Sequence, residues 1–215
     1  MIASTLSRIR HWTPEIAADP RRVSPHEPTV PNSDADDVAW EAECIRKTQG
    51  GCPDDFNPLV ARYAPRIRAY LYRILRNREE AEDLTQETFI KAFRAIHRFD
   101  AERPFKSWLY TIATNTGLNA LRGQKRRGTQ VALDPDLPAT AGTGDRSGGE
   151  SQEKLESAMA ALSPRAAQLI TLHYHEGFSL LEAGQVLGMS EGAAKAALCR
   201  ARQELRTTML NEVRE

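Results

Sequence analysis

The sequence has few cysteines and no long apolar run, and each shortage excludes a class of protein. Its 215 residues include three cysteines, an odd number without C-x-x-C spacing, so neither a disulfide framework nor a zinc site is predicted and reduced thiols are expected. No stretch approaches the roughly 18 apolar residues of a membrane span. No continuous apolar run follows Arg8 and Arg10, as it would in a secretory signal. We therefore expect a cytoplasmic protein that does not cross a membrane.

The motifs of enzymes are also missing. The sequence has no nucleophile elbow, no phosphate-binding glycine loop and no metal triad. His173 and His175 would point to different sides of a helix, and no third metal ligand lies near them in the sequence. Cys199 stands beside Arg200, which leaves a redox-sensitive thiol as an alternative to the commoner inert one. We predict that the protein is not an enzyme and needs no cofactor.

Positive charge is concentrated in the middle of the chain, although the total charge is balanced. Residues 38–127 contain 17 Lys and Arg against 11 Asp and Glu. From Arg103 to Arg127 there is no acidic residue, the pattern expected of a surface that faces phosphates. On charge alone, a solvated basic helix end explains this segment equally well.

Two segments without apolar periodicity divide the chain. Residues 1–37 hold five prolines and too few apolar residues to offset the entropy of ordering, so they are predicted to be a disordered arm. Residues 128–151 are rich in Gly, Thr, Pro, Ser and Asp and are predicted to be a flexible linker. The prediction is an all-α fold with two small helical domains, residues 38–127 and 152–215. Helical spacing near the N-terminus leaves a short docking helix open as an alternative: Ile2, Leu6, Ile9 and Ile16.

The first domain carries helical periodicity interrupted by short breaks. The periodicity starts at Val38 and is clearest in an apolar stripe at steps of three and four: Leu59, Tyr63, Ile67, Tyr70 and Ile74. A second helix is predicted at about residues 79–97, because acidic residues crowd its first turn, where the helix dipole favours them. Its apolar face consists of Ala81, Leu84, Thr88, Ala92 and Ala95. A third helix is predicted from Phe105 to Arg122, since Pro104 suits a helix start.

The second domain has the helix caps and the glycine turn that are typical of a helix-turn-helix. Ser163-Pro164 opens one helix, and Ser179 with Glu182 forms a capping box that opens another. Gly188 marks the turn before a longer helix that begins at Ser190. The buried stripe of that helix is predicted to be Ala194, Leu198, Ala201 and Leu205.

Three motifs in this order resemble a known family. The segments from Asp83 to Phe89 (DLTQETF) and from Phe105 to Ala113 (FKSWLYTIA), followed by Asn115 and the helix-turn-helix, closely resemble the extracytoplasmic function sigma factors. The resemblance covers about residues 38–127 and 152–210. It implies a factor that binds core RNA polymerase and directs promoter-specific transcription initiation, in such contexts as a stress response, under the control of an anti-sigma partner.

The resemblance implies a polymerase-docking helix. In the family, the helix with the Asp-x-x-Gln-Glu motif docks on the coiled coil in the clamp of the large polymerase subunit. The matching residues, which form the docking stripe, are Asp83, Gln86, Glu87, Ile90 and Arg94. Taken alone, the stripe is better explained as the solvated face of a helix with acids at its N-terminus.

The resemblance also implies a minus-ten site. Residues 97–106, here named the capture loop, correspond to the family's segment that captures an unstacked base of promoter DNA. The side chains that supply this chemistry are His97, Arg98, Phe99, Asp100, Arg103 and Lys106, although Phe99 could instead belong to the core. The next helix adds a polar and basic edge for the opened strand: Asn115, Asn119, Arg122, Lys125, Arg126 and Arg127. Trp108 and Ile112 are predicted to be core residues.

The helix from Ser190 to Arg206 corresponds to the family's reader of the minus-thirty-five element, but it departs from the family pattern. Ala193, Ala196 and Ala197 stand where relatives commonly carry Thr, Ser and Arg, so weak or shape-dependent readout is expected. The candidate contacts are Ser190, Glu191, Lys195, Arg200, Arg202 and Arg206. Ala183 and Gly184 suggest thin packing and marginal stability of this domain.

These departures, with Thr114 where relatives often carry Arg, leave two alternatives open. One is a sigma-like adaptor or decoy that binds polymerase or anti-sigma without initiating. The other is a plain helix-turn-helix repressor, which would leave the docking stripe without a purpose.

Overall fold

The computed structural model describes residues 34–127, 157–159 and 161–212. All regular structure in these ranges is helical, so the predicted all-α class is confirmed. The predicted linker and residues 1–33 of the predicted arm, with the alternative docking helix, lie outside the described residues. No described helix has the length and apolar character needed to span a membrane.

Four α-helices and two 3-10 turns make up residues 34–127. The α-helices are α1 (Asp34–Gln49), α2 (Asn57–Leu75), α3 (Arg78–Ala95) and α4 (Phe105–Arg127), and the 3-10 turns are Pro53–Phe56 and Ile96–Arg98. Helix α1 therefore begins before the predicted start at Val38, so residues 34–37 of the predicted arm are helical. Helix α4 continues beyond the predicted end at Arg122. Its basic last turns suit the negative end of the helix dipole.

The described residues divide into two compact units. Residues 34–69 and 82–116 form the first, and residues 70–81 with the described residues from 117 onward form the second. The division passes through α2, α3 and α4, so these units do not coincide with the predicted domains, whose boundaries stay a prediction.

Aromatic rings fill the core of the first unit. Phe56 meets Phe89 and Phe93 edge to face, with ring centroids 6.4 and 5.3 Å apart, an arrangement that favours the quadrupoles of the rings. Tyr63 on α2 packs in the same way on Phe105 at the start of α4, at 5.7 Å. The rings from the first 3-10 turn, α2, α3 and α4 thus fix where the exposed faces of α3 and α4 lie.

The C-terminal part of the second unit contains two short capped helices, a π-helical turn and one long helix. They are α5 (Pro164–Ile170), a π-helical turn (Thr171–His175), α6 (Leu180–Val186) and α7 (Glu191–Glu212). Ser163 Oγ accepts from the backbone N–H of Ala166 at 3.3 Å. Ser179 and Glu182 form the reciprocal capping box. Both predicted caps are confirmed, and Gly188, with φ of 63°, makes the turn between α6 and α7.

Small residues bring α6 and α7 close together, which corrects the expectation of thin packing. A Cβ atom placed on Gly184 would lie 3.2 Å from Ala194 Cβ and 3.3 Å from the carbonyl oxygen of Met189. Ala183 is fully buried beside it. The helices of the helix-turn-helix therefore approach more closely than larger side chains allow.

Candidate polymerase-docking and DNA-binding surfaces

The docking stripe lies on the solvent side of α3. Asp83, Glu87 and Arg94 are exposed, while Gln86 and Ile90 are partly exposed. The opposite face of the helix, with Ala81, Thr88 and Ala92, is buried in the core. This is the face division expected of an amphipathic helix whose outer side is free for a partner.

A lysine that the sequence analysis missed holds one member of the docking stripe. Lys91 Nζ lies 2.7 Å from Glu87 Oε1 and donates to Thr116 Oγ1 at 3.1 Å. The i, i+4 spacing of Glu87 and Lys91 is the signal that could have identified the pair. Lys91 therefore connects the docking stripe on α3 to α4, on which the minus-ten candidates lie.

The capture loop presents most of its candidate side chains to solvent. His97, Arg98, Asp100 and Arg103 are exposed, and Lys106 is partly buried. Phe99 is only 8% exposed and does not belong with them. Its ring packs on Trp108 with centroids 4.5 Å apart and a tilt of 34°, and it meets Phe105 edge to face at 5.9 Å. The alternative reading of Phe99 as a core residue therefore fits the structure, and its ring has no face free for a base.

Hydrogen bonds from inside and outside the capture loop hold its backbone. Asp100 Oδ1 accepts from the backbone N–H of Glu102 at 3.1 Å, and its carbonyl oxygen accepts from that of Arg103 at 3.0 Å, as in an Asx-type turn. From α1, Gln49 Nε2 donates to the carbonyl oxygens of Ile96 at 2.8 Å and Phe99 at 2.7 Å. Gln49 was not predicted, because nothing in its local pattern points to a contact so distant in the chain.

The polar edge of α4 is exposed along the helix. Asn115, Asn119, Arg122 and Arg126 are all exposed, and Arg122 Nη1 donates to Asn119 Oδ1 at 3.4 Å. The side chains of Lys125 and Arg127 lie outside the described residues. Trp108 and Ile112 are partly buried, and Trp108 packs on Phe99 as a core residue does. Thr114 is buried at 1% exposure, so a side chain at this position contributes to the core here rather than to the exposed edge.

Helix α7 exposes a basic but smooth surface. Ala194, Leu198 and Ala201 are buried, as predicted, whereas Leu205 is only partly buried. Exposed alanines, Ala193 and Ala196, lie among the exposed charged candidates Glu191, Lys195, Arg200, Arg202 and Arg206. The hydroxyl of Ser190 accepts from the backbone N–H of Ala193 at 3.3 Å, so this candidate contact serves as the helix cap.

An aromatic residue that the sequence analysis did not single out orients one of these arginines. The guanidinium carbon of Arg202 lies 5.3 Å from the ring centroid of Tyr174, within the range of a cation–π contact, and Arg202 also donates to the Tyr174 hydroxyl. Tyr174 is 52% exposed. Such a pair holds the arginine in one direction on the surface.

The cysteines and histidines form no metal site within the described residues. Cys44, Cys52 and Cys199 are free thiols, and Cys199 is exposed on α7. His173 Nδ1 lies 2.9 Å from the carbonyl oxygen of Phe178, so its ring contacts the backbone.

Two family models match the chain in the order that the motifs predict. The Sigma-70 region 2 model matches residues 59–127, and the Sigma-70 region 4 model matches residues 152–205. The RNA polymerase sigma factor CarQ of Myxococcus xanthus is 33% identical over 75% of this chain and 93% of its own length. SigW of Bacillus subtilis, an ECF RNA polymerase sigma factor, is 33% identical over 75% and 92%.

Solved structures agree in fold. The sigma factor RpoE of Bartonella quintana, in complex with the anti-sigma factor NepR, is similar with a TM-score of 0.62 at 27% identity, over 72% of this chain and 96% of that one. CnrH, in complex with the cytosolic domain of CnrY, has a TM-score of 0.58 at 24% identity, over 78% and 96%.

The two matched regions define a sigma factor of the sigma-70 type. The chain belongs to the extracytoplasmic function sigma factors, as the resemblance predicted. It therefore binds core RNA polymerase and directs promoter-specific transcription initiation. A plain helix-turn-helix repressor is set aside, because it would carry no region 2.

Proposed function

We propose that the two regions divide the work of initiation among three surfaces. The docking stripe binds the coiled coil in the clamp of the large polymerase subunit. The capture loop and the polar edge of α4 bind the minus-ten element, and α7 binds the minus-thirty-five element. The observation that carries this assignment is the exposure of the acidic stripe on α3 together with an exposed, acid-free edge on α4.

The capture loop would open DNA with binding energy alone. Exposed His97, Arg98 and Arg103 offer planar and hydrogen-bonding groups to a flipped base. Their contacts offset the unstacking of that base, which costs a few kcal/mol. Asn115, Asn119, Arg122 and Arg126 would then hold the opened strand. This reaction needs no nucleotide hydrolysis and no bound cofactor, and we propose that the protein is not an enzyme.

Helix α7 would read its element weakly. Glu191 and Lys195 lie near the helix start, where a recognition helix meets base edges. Arg200, Arg202 and Arg206 would contact phosphates, with Arg202 directed by Tyr174. Exposed Ala193 and Ala196 can offer only apolar contact, as to a thymine methyl group.

An anti-sigma partner would control the chain in the cytoplasm, where core polymerase works. The similar RpoE from Bartonella quintana is in complex with an anti-sigma factor, which supports a partner of this kind. We propose that such a partner covers the docking stripe, because covering it would prevent polymerase binding.

The decisive experiment maps transcripts made from fragmented genomic DNA by core polymerase with and without the purified protein. Discrete new starts that share two upstream elements are expected, and they would also define the promoter. Polymerase binding without new starts would instead support the adaptor or decoy function. The exposed alanines of α7 are the observation that favours this second candidate.

A further inference from the structure

Helix α1 contacts the segment that presents the capture loop, although it precedes the stretch that matches the region 2 model. The match begins at residue 59, whereas α1 ends at Gln49. Gly51 has a φ of 100°, a left-handed conformation suited to glycine after a helix end. The backbone N–H of Gly50 donates to the carbonyl oxygen of Arg46 at 2.9 Å. This helix end fixes the position from which Gln49 reaches the loop.

The Gln49 amide bridges the two ends of a tight turn. Its Nε2 donates to the carbonyl oxygen of Ile96 at 2.8 Å and to that of Phe99 at 2.7 Å. The backbone N–H of Phe99 donates to the Ile96 carbonyl at 3.0 Å as well. One side chain thus uses both of its N–H donors on the turn that leads into the exposed part of the loop.

A second contact from α1 reaches the other side of the loop. Arg46 Nη1 lies 3.3 Å from Glu102 Oε1, but both side chains are exposed, at 51% and 82%. An exposed ion pair of this kind stabilises little. Gln49 is only partly exposed, and its two acceptors are backbone atoms, so it is the contact that defines the loop geometry.

We infer that Gln49 is a positioning residue for minus-ten recognition, holding the capture loop in its base-binding conformation before DNA arrives. The inference rests on the proposed capture function of residues 97–106. Preorganisation matters here because a loop that is already ordered loses less conformational entropy when it binds. With Phe99 packed on Trp108, Gln49 fixes the turn from which His97 and Arg98 project.

The test uses variants of the full chain that differ in the donors at position 49. Gln49→Met keeps the length without a donor, Gln49→Glu keeps the shape with acceptors only, and Gln49→Lys restores donors. Thr48→Val is the matched control. Thr48 is buried on the same helix and donates to the Cys44 carbonyl at 2.8 Å, within the helix and not to the loop.

The measured quantity is the ratio of affinities of the holoenzyme for two single-stranded oligonucleotides. One carries the minus-ten element from the mapped starts, and the other carries it with one base changed. Gln49→Met and Gln49→Glu should lower this ratio about tenfold, equivalent to about 1.4 kcal/mol. Gln49→Lys should recover much of the loss, and Thr48→Val should keep the wild-type ratio. Polymerase binding should be unchanged in all four variants.

The inference would be overturned if Gln49→Met kept the wild-type affinity ratio, or if Thr48→Val lost as much of that ratio as Gln49→Met. A wild-type chain that does not discriminate between the oligonucleotides would overturn the capture function of the loop, and the positioning role with it. Hydrogen exchange separates the two failures. Faster exchange of the Phe99 and Arg103 amides in Gln49→Met would show that Gln49 holds the loop backbone even if the loop captures no base, whereas unchanged exchange would show that Gln49 does not hold it.

Discussion

Buried ionisable side chains determine how the first unit responds to alkali. Cys44 is 6% exposed, and burial, followed by the charge of Asp55, raises the pKa of its thiol from 9.0 to about 11. Burial and the neighbouring Glu41 carboxylate raise the pKa of Tyr63 as well, and the Tyr63 hydroxyl donates to Glu41. Both groups therefore hold their protons more tightly in the folded chain than in the unfolded chain.

Stability should fall as the pH rises above about 9. The unfolded chain loses the Cys44 proton near pH 9 and the folded chain near pH 11, so the stabilisation is complete below pH 9 and is lost across that interval. The loss is on the order of 2 kcal/mol for this thiol. Urea unfolding of wild type and Cys44→Ala at pH 8, 9, 10 and 11 measures it. The variant should start lower, because it loses buried volume, but should have a flatter pH dependence; parallel curves would contradict the assignment.

Residues whose role depends on distant contacts were the ones that the sequence left open. The exposure of Asp83 and Glu87 followed from helical spacing alone. Gln49 and Phe99 did not, because their partners lie on other elements and a lone Gln or Phe carries no directional signal. Lys91 lies between these cases, since its pairing with Glu87 was visible but its bond to Thr116 was not.

At the scale of the elements, local signals predicted the capped helix starts well and the uncapped helix boundaries less well. The caps at Ser163 and Ser179 depend on residues within one turn and were predicted correctly. Helix α1 starts earlier than the apolar pattern at Val38, because its first residues are polar and give no periodic signal. The π-helical turn at Thr171–His175 was not predicted, since nothing in the local residue pattern distinguishes it from an α-helical turn.

Replacing two glycines of the helix-turn-helix by alanine should change the stability of the chain in opposite directions. Gly184→Ala gains about 1 kcal/mol of helix propensity, but its Cβ would lie against Ala194 Cβ and a backbone carbonyl, neither of which can rotate away. Overpacking of this kind typically costs about 1–3 kcal/mol, so a net loss is expected. Gly192→Ala meets no atom within 4 Å. Because Gly192 lies in the first turn of α7, where the interior helix propensity applies only in part, the substitution should stabilise the chain by a few tenths of a kcal/mol. Urea unfolding followed by circular dichroism checks both signs; stabilisation by Gly184→Ala would show that α6 and α7 can separate freely.

At the scale of the whole molecule, mutations should be able to remove polymerase binding without changing DNA binding. Asp83→Ala with Glu87→Ala should abolish binding to core polymerase, because it removes the acids that we propose face the clamp coiled coil, and should leave DNA affinity alone. Glu43→Ala with Glu79→Ala changes the charge equally at exposed acids outside the docking stripe. Pull-down of core polymerase by each purified chain is the measurement. Equal binding by both double variants would count against the docking assignment.

The salt dependence of promoter binding tests whether α4 contacts phosphates. Each phosphate contact releases counterions, so losing one lowers the slope of log affinity against log salt by about 0.7–0.9. For the holoenzyme on its mapped promoter, Arg126→Ala should therefore lower this slope by the value of about one phosphate contact. Arg122→Ala with Arg126→Ala should lower it by the value of about two. Arg66→Ala removes an exposed positive charge from α2. It should leave the slope unchanged, because removing a charge that contacts no phosphate does not change the number of counterions released. If all three variants shifted the slope alike, the edge of α4 would act only through net charge, and the opened strand would have to run elsewhere.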